Sequence, residues 1–219
     1  MISRRRLLGA AAGTGLLVLA PIRPSSAAGK GFTEWIQKAS GNGWTINPTA
    51  VRPYRIEGSS ASVALRQGRV AAVLLHIARR WHYEIAPLDT GEGGGITGYT
   101  TRRIIQAEFE SNYLSGTAVA LHPTAYPANG SEGLFPHHQA IVRDILADCE
   151  GTVAWGADLN PVKVSHFEIV ARPGSGVLAR VAARLDTSVQ KEFRSQTAGV
   201  VADPAGPARR KKVQEFQPK

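Results

Sequence analysis

The sequence predicts one α+β domain, with a small, mainly antiparallel sheet packed by helices. Three observations predict it. Short runs with a two-residue apolar period, such as 62–66 (SVALR) and 166–170 (HFEIV), read as strands. Separate stretches place apolar residues at helical intervals, as Val70, Val73, Leu74, Ile77 and Trp81 do. The 219 residues suffice for one hydrophobic core and carry no internal repeat.

Along the chain, 29–60 is mixed, with Gly41-Asn42-Gly43 and Asn47-Pro48 as turn signals. Trp35 and Trp44 are expected to anchor the core or lid it. After the 62–66 strand, Gly68 breaks the pattern, and a helix is predicted over 69–83 with Arg79 and Arg80 on its wet side. Gly91-Glu92-Gly93-Gly94-Gly95 is a flexible loop; no helix with a strong N-terminal phosphate cradle follows, so a nucleotide-binding reading is poor. Strands are expected at 96–101 and 119–121, and a long loop at 123–136. Residues 137–146 read as a helix with Ile141, Ile145 and Leu146 inward and Arg143 and Asp144 outward. Two more strands are expected at 152–155 and 166–170. A last helix is expected at 176–194, with Val177, Leu178, Val181, Leu185 and Val189 on one face.

The ends read differently. Residues 1–28 look like an export signal of the twin-arginine type: Ser3-Arg4-Arg5-Arg6, a modest apolar run over 9–20, then small residues suited to cleavage. That run is too short for a span of about 20 apolar residues, so no stable membrane span is expected after cleavage. The expected location is periplasmic or extracellular. Domain boundaries follow as 1–28 signal, 29–194 folded domain and 195–219 flexible basic tail. The signal holds four arginines and no acid, which leaves +5 of the net +9. Much of that excess is Arg209-Arg210-Lys211-Lys212, with Phe216 alone as an aromatic neighbour. Nucleic-acid binding would interleave stacking aromatics, so none is expected. The single Cys149 excludes an internal disulfide, and nothing around it marks a nucleophile.

Chemistry concentrates at 111–122 (SNYLSGTAVALH) and 163–168 (KVSHFE). A strand carrying His-x-Glu puts His166 and Glu168 on one face. A hydrolytic zinc site needs three protein ligands, an open position for water and a carboxylate to move the proton.

These segments resemble the VanY-like zinc D-alanyl-D-alanine carboxypeptidases and L-alanyl-D-glutamate endopeptidases, which share the LAS, or hedgehog-type, peptidase fold. That family has a segment like S-N-H-A-S-G-T-A-x-D-x-N, then W-G-G-D, then D-x-M-H-F-E. Here stand Ser111-Asn112-Tyr113-Leu114-Ser115-Gly116-Thr117-Ala118-Val119-Ala120, Trp155-Gly156-Ala157-Asp158 and Lys163-Val164-Ser165-His166-Phe167-Glu168. Residues 82–88 and 98–102 are also similar, and the likeness covers roughly 40–190.

The resemblance implies peptidoglycan peptide, or another acidic cell-wall component, as the partner. It also implies which chemistry has been replaced. Tyr113 stands for a metal histidine, Ala120 for a metal aspartate and Lys163 for the catalytic acid/base, leaving His166 as the one retained ligand. One imidazole beside a cation does not hold zinc, so no cofactor and no catalytic residue are expected. Arg102, Ser111, Asp158 and Lys163 remain as candidate substrate-binding residues, Arg102 through a bidentate grip on a carboxylate. The expected function is an exported carboxypeptidase-like domain, catalytically inactive, that binds cell-wall peptide or a protein partner. Two alternatives stand beside it. One is an active zinc peptidase with a displaced site from His122, His166 and Glu168, joined by His137 and His138. The other is a structural remnant whose function lies in its tail and outer surface. Tyr113 with His166 as a metal-free acid/base pair is a lesser reading of the same residues.

Overall fold

Alternation along two strands sets the centre of the molecule. In the computed structural model, which describes residues 31–186 and 206–216, β6 (Ala118–Leu121) and β8 (His166–Ile169) pair antiparallel, with Ala120 opposite His166. Val119, Leu121, Phe167 and Ile169 point to one face and enter the main core. Ala118, Ala120, His166 and Glu168 occupy the other face, where Tyr113 packs. Strand β4 (Ile96–Thr97) and strand β7 (Val153–Trp155) flank this pair, giving the order β4-β6-β8-β7, all antiparallel. The expectation of a small antiparallel sheet packed by helices holds at that level.

Helices cover the core face. Helix α1 (Arg69–Glu84) buries the stripe Val70, Val73, Leu74, Ile77 and Trp81, as its spacing predicts. The Trp81 ring meets Phe167 edge-on at 5.9 Å, and Phe167 stacks on Trp155 at 6.2 Å. Helix α2 (Pro136–Asp148) starts on a proline, whose fixed φ suits a first helical turn. Helix α3 (Gly176–Leu185) is capped by the Ser175 hydroxyl accepting from the Leu178 N–H, and it packs against α1. The remainder of the predicted 176–194 helix lies outside the described residues, as do the 1–28 segment and 187–205.

Five differences from the sequence reading stand out. Strand 96–101 is confined to Ile96–Thr97, because the chain turns so that the Tyr99 N–H donates to Ala64 O on another strand. That strand is β3 (Ser62–Arg66), paired with β2 (Val51–Arg55), an element that Arg52, Pro53 and Arg55 conceal from an apolar pattern. Strand β1 (Thr33–Glu34) pairs with β5 (Ile104–Ile105), and both are too short to carry a period. Neither Arg80 nor Asp144 is outward. Arg80 binds Glu84, Asp144 and Asp148, tying α1 to α2, and Asp144 is 4% exposed. Of the segment read as a tail, Pro207–Glu215 forms helix α4 against α2. Among the described residues no helix is long and apolar enough to cross a membrane.

Candidate functional site

The site lies on the sheet face away from the main core, under the 3-10 turn Glu108–Tyr113. Gly116, at φ 69°, turns the chain from that element into β6, and a Cβ there would lie 2.8 Å from the Arg66 nitrogen. The hydroxyls of SNYLSGT lash a second loop over the site. Ser111 Oγ accepts from the Gly41 N–H at 2.8 Å, Ser40 Oγ donates to Ser115 Oγ at 2.8 Å, and Asn42 Nδ2 donates to Thr117 Oγ1 at 2.7 Å. Loop 40–42 was legible only as a turn, because nothing in its residues names its partners.

Four side chains form a buried chain. Asn112 Nδ2 donates to Glu168 Oε2 at 2.5 Å, and the same oxygen lies 3.0 Å from His166 Nε2. The Tyr113 hydroxyl lies 2.7 Å from His166 Nδ1. Glu168 accepts, so Nε2 carries the imidazole proton and Nδ1 accepts from the Tyr113 O–H. Both ring nitrogens of His166 are engaged. The Phe109 ring covers the imidazole at 4.7 Å between centroids.

Burial decides the charge states. It pushes the Tyr113 hydroxyl well above the ordinary phenol value, and the Glu110 and Glu168 carboxylates add to the shift, so this oxygen stays protonated. Burial also holds His166 below the usual imidazole value, against the opposing pull of Glu168. Beside them Lys163 Nζ binds Glu110 Oε1 at 2.8 Å and sits 5.2 Å above the Tyr113 ring centre. For Glu110, burial works upward but is outweighed by the Gln106 N–H and the Lys163 ammonium, and the net shift is downward.

A pH dependence follows. Burial is the main cause of the lowered values of both His166 and His76. The unfolded chain therefore takes up protons below about pH 6.5 that the folded rings refuse, so stability is full above that pH and falls on acidification. Glu110 adds a loss of the same sign at lower pH. Urea midpoints measured from about pH 8 to about pH 5 are expected to decline below about 6.5; a midpoint that rises over that range contradicts the assignment.

The predicted residues separate into those the fold gathers and those it does not. Tyr113, Ala120, Lys163 and His166 come together around one point, although they lie on three separate elements. Arg102 joins them: with Tyr113, Ala120, Lys163 and Thr100 it lines a cavity of about 400 Å3. Its exposed guanidinium has no partner among the described residues, whereas the Arg103 guanidinium donates to the Trp35 and Gln37 carbonyls as a brace. Ser111 is fully buried and anchors Gly41 rather than lining that cavity. Asp158 is not in the site. It makes a bidentate pair with Arg143 at 2.5 Å and lines a different cavity, because the 3-10 turn Gly156–Asp158 turns it toward α2.

His122 does not join His166 and Glu168. Strand β6 ends at Leu121, and His122 takes φ 50°, which breaks the alternation that would have put it on the face of Ala120. Its Nε2 lies 3.0 Å from Pro87 O, and its ring packs on Trp81. At the start of α2, His137 stacks on exposed Phe135 and His138 meets the same ring edge-on. Among the described residues no three of His, Cys, Asp and Glu cluster to hold a metal. Cys149 is buried, and burial pushes its thiol strongly upward.

Sequence reading missed Asn112, Phe109 and Glu110 as members of the site. The Ser-Asn pair preceding Tyr113 was the available signal for Asn112. No family model matches the chain, and no curated protein or solved structure matches it.

Proposed function

We propose that this chain is an exported, carboxypeptidase-like module that binds a carboxylate-bearing cell-wall peptide and does not cleave it. The resemblance of its motifs to the VanY-like zinc peptidases supports the ligand class. The observation that carries the loss of hydrolysis is the double engagement of His166: Tyr113 takes one ring nitrogen and Glu168 the other. A metal ligand needs a free lone pair, and this imidazole offers none. The adjoining cavity still presents the Arg102 guanidinium, with the Lys163–Glu110 pair on its wall. A planar guanidinium suits a peptide carboxylate, in two parallel hydrogen bonds.

The test is calorimetric titration of a muramyl-type pentapeptide ending in D-Ala-D-Ala, with product analysis and zinc determination on the same samples. Binding without release of D-alanine is expected. Removing one charged hydrogen-bond partner costs about 1.5–3 kcal/mol, so Arg102→Ala should weaken binding by roughly 10- to 150-fold. Release of D-alanine that tracks bound zinc would overturn the reading, and so would binding unchanged in Arg102→Ala.

A further inference from the structure

The basic helix near the end of the chain is pinned by charge to acids that also have partners elsewhere. Helix α4 (Pro207–Glu215) lies against α2. Arg209 binds the Asp144 carboxylate through Nε, the Asp144 carbonyl at 2.9 Å and Asp148 at 2.8 Å. Lys212 reaches Glu150 at 3.9 Å, and the Phe216 ring lies over Gly151. Behind the helix is a cavity of about 380 Å3 whose walls include Leu146, Val153, Trp155 and Phe216.

Each of these acids has a second partner outside α4. Asp144 keeps Arg80 at 2.8 Å, and Asp148 keeps Arg80 at 3.1 Å and His76 at 3.2 Å. Glu150 keeps Arg180 and Arg184. Breaking a buried pair is costly when it strands an uncompensated charge, and here none is stranded. On the helix side, Arg210 and Lys211 are exposed and have no ion pair among the described residues. Nine residues without a side-chain N-cap are too few to hold a helix alone, so α4 depends on what it touches. Without α4, Arg80 would be shared among Glu84, Asp144 and Asp148, while Glu150 keeps Arg180 and Arg184.

We infer that α4 is a displaceable strap, and that a linear phosphate polyanion takes its cations away from α2 and uncovers the cavity beside β7. Arginine binds phosphate as readily as carboxylate, and in the same forked geometry. A polymer offers Arg209, Arg210, Lys211 and Lys212 together what Asp144, Asp148 and Glu150 offer only Arg209 and Lys212. This inference stands independently of the peptide cavity.

The test is a titration of the 15N-labelled full chain with linear inorganic polyphosphate, followed at the Gly151 and Thr152 amides. An Arg209→Ala/Phe216→Ala variant gives the undocked reference spectrum. Polyphosphate is expected to move both amides to the reference positions. Four neutralised cations imply that binding weakens about 50-fold between about 50 and about 200 mM salt. Arg210→Ala/Lys211→Ala should keep the docked spectrum and bind polyphosphate more weakly. Polyphosphate binding that leaves Gly151 unmoved would overturn the displacement. No binding at low salt, or binding to anionic phospholipid vesicles alone, would overturn the polymer.

Discussion

The triple variant Tyr113→His/Ala120→Asp/Lys163→Asp is expected to bind one zinc ion with a Kd of about 1 µM or tighter, some 8 kcal/mol of binding that the parent chain does not have. The geometry supplies the reason. Tyr113 hydrogen-bonds His166, Ala120 sits opposite His166 across β6 and β8, and Lys163 stands over the Tyr113 ring. A histidine at 113 frees His166 Nδ1, and an aspartate at 120 adds a third donor, completing the set zinc takes in hydrolytic sites. Replacing Lys163 matters as much. At about 4 Å and an effective dielectric of about 20, each unit of like charge opposes the ion by about 4 kcal/mol. It also leaves Glu110 unpaired beside the metal, where its charge becomes favourable. Competition against a chromophoric chelator measures the affinity. A triple variant that binds no zinc would show that the three positions do not converge as ligands, and would remove the support the peptidase resemblance draws from them.

The second large effect is on stability. His166→Phe should destabilise the fold by about 3 kcal/mol or more, because losing the Nε2–H donor leaves the buried, charged Glu168 carboxylate with Asn112 as its only named partner. For a chain of this size that is a fall in Tm of roughly 6 °C or more. Tyr113→Phe removes only a neutral hydroxyl from Nδ1 and should cost about 1–3 kcal/mol. Calorimetry of the two variants tests the order. Equal losses would mean that Glu168 finds a substitute partner, and that the chain of hydrogen bonds is not continuous.

Legibility in the sequence followed the range of the interaction. The α1 stripe and the alternation of β6 and β8 are local periodicities, and they were read with nearly their observed bounds. Strand β2 was hidden because Arg52, Pro53 and Arg55 give it no apolar face, and it is defined by its partner β3. Asp144 looked solvent-facing because it is charged; its burial depends on Arg80 and Arg209, neither of them near it in sequence. At the site, motif order pointed to Tyr113, Ala120, Lys163 and His166, and the fold gathers all four. It could not say that the Tyr113 hydroxyl would close onto His166, since that needs a distance across three elements. For His122 the period-two extrapolation failed at one residue with positive φ, a conformation uncommon outside glycine although histidine adopts it more readily than most. Asp158 sat in a motif that gives no direction for its side chain, and the 3-10 turn after Trp155 carries it toward Arg143.

Gly156 carries a different lesson. A methyl group there would fall 2.0 Å from the Lys163 carbonyl oxygen and 2.9 Å from His166 Cβ. A side chain that borders the cavity has open space beside it. This residue has no such freedom, since any heavier occupant would wedge apart the two segments that set the floor. Any substitution at this position should therefore disturb the backbone beneath the site first, and the side chains only through it.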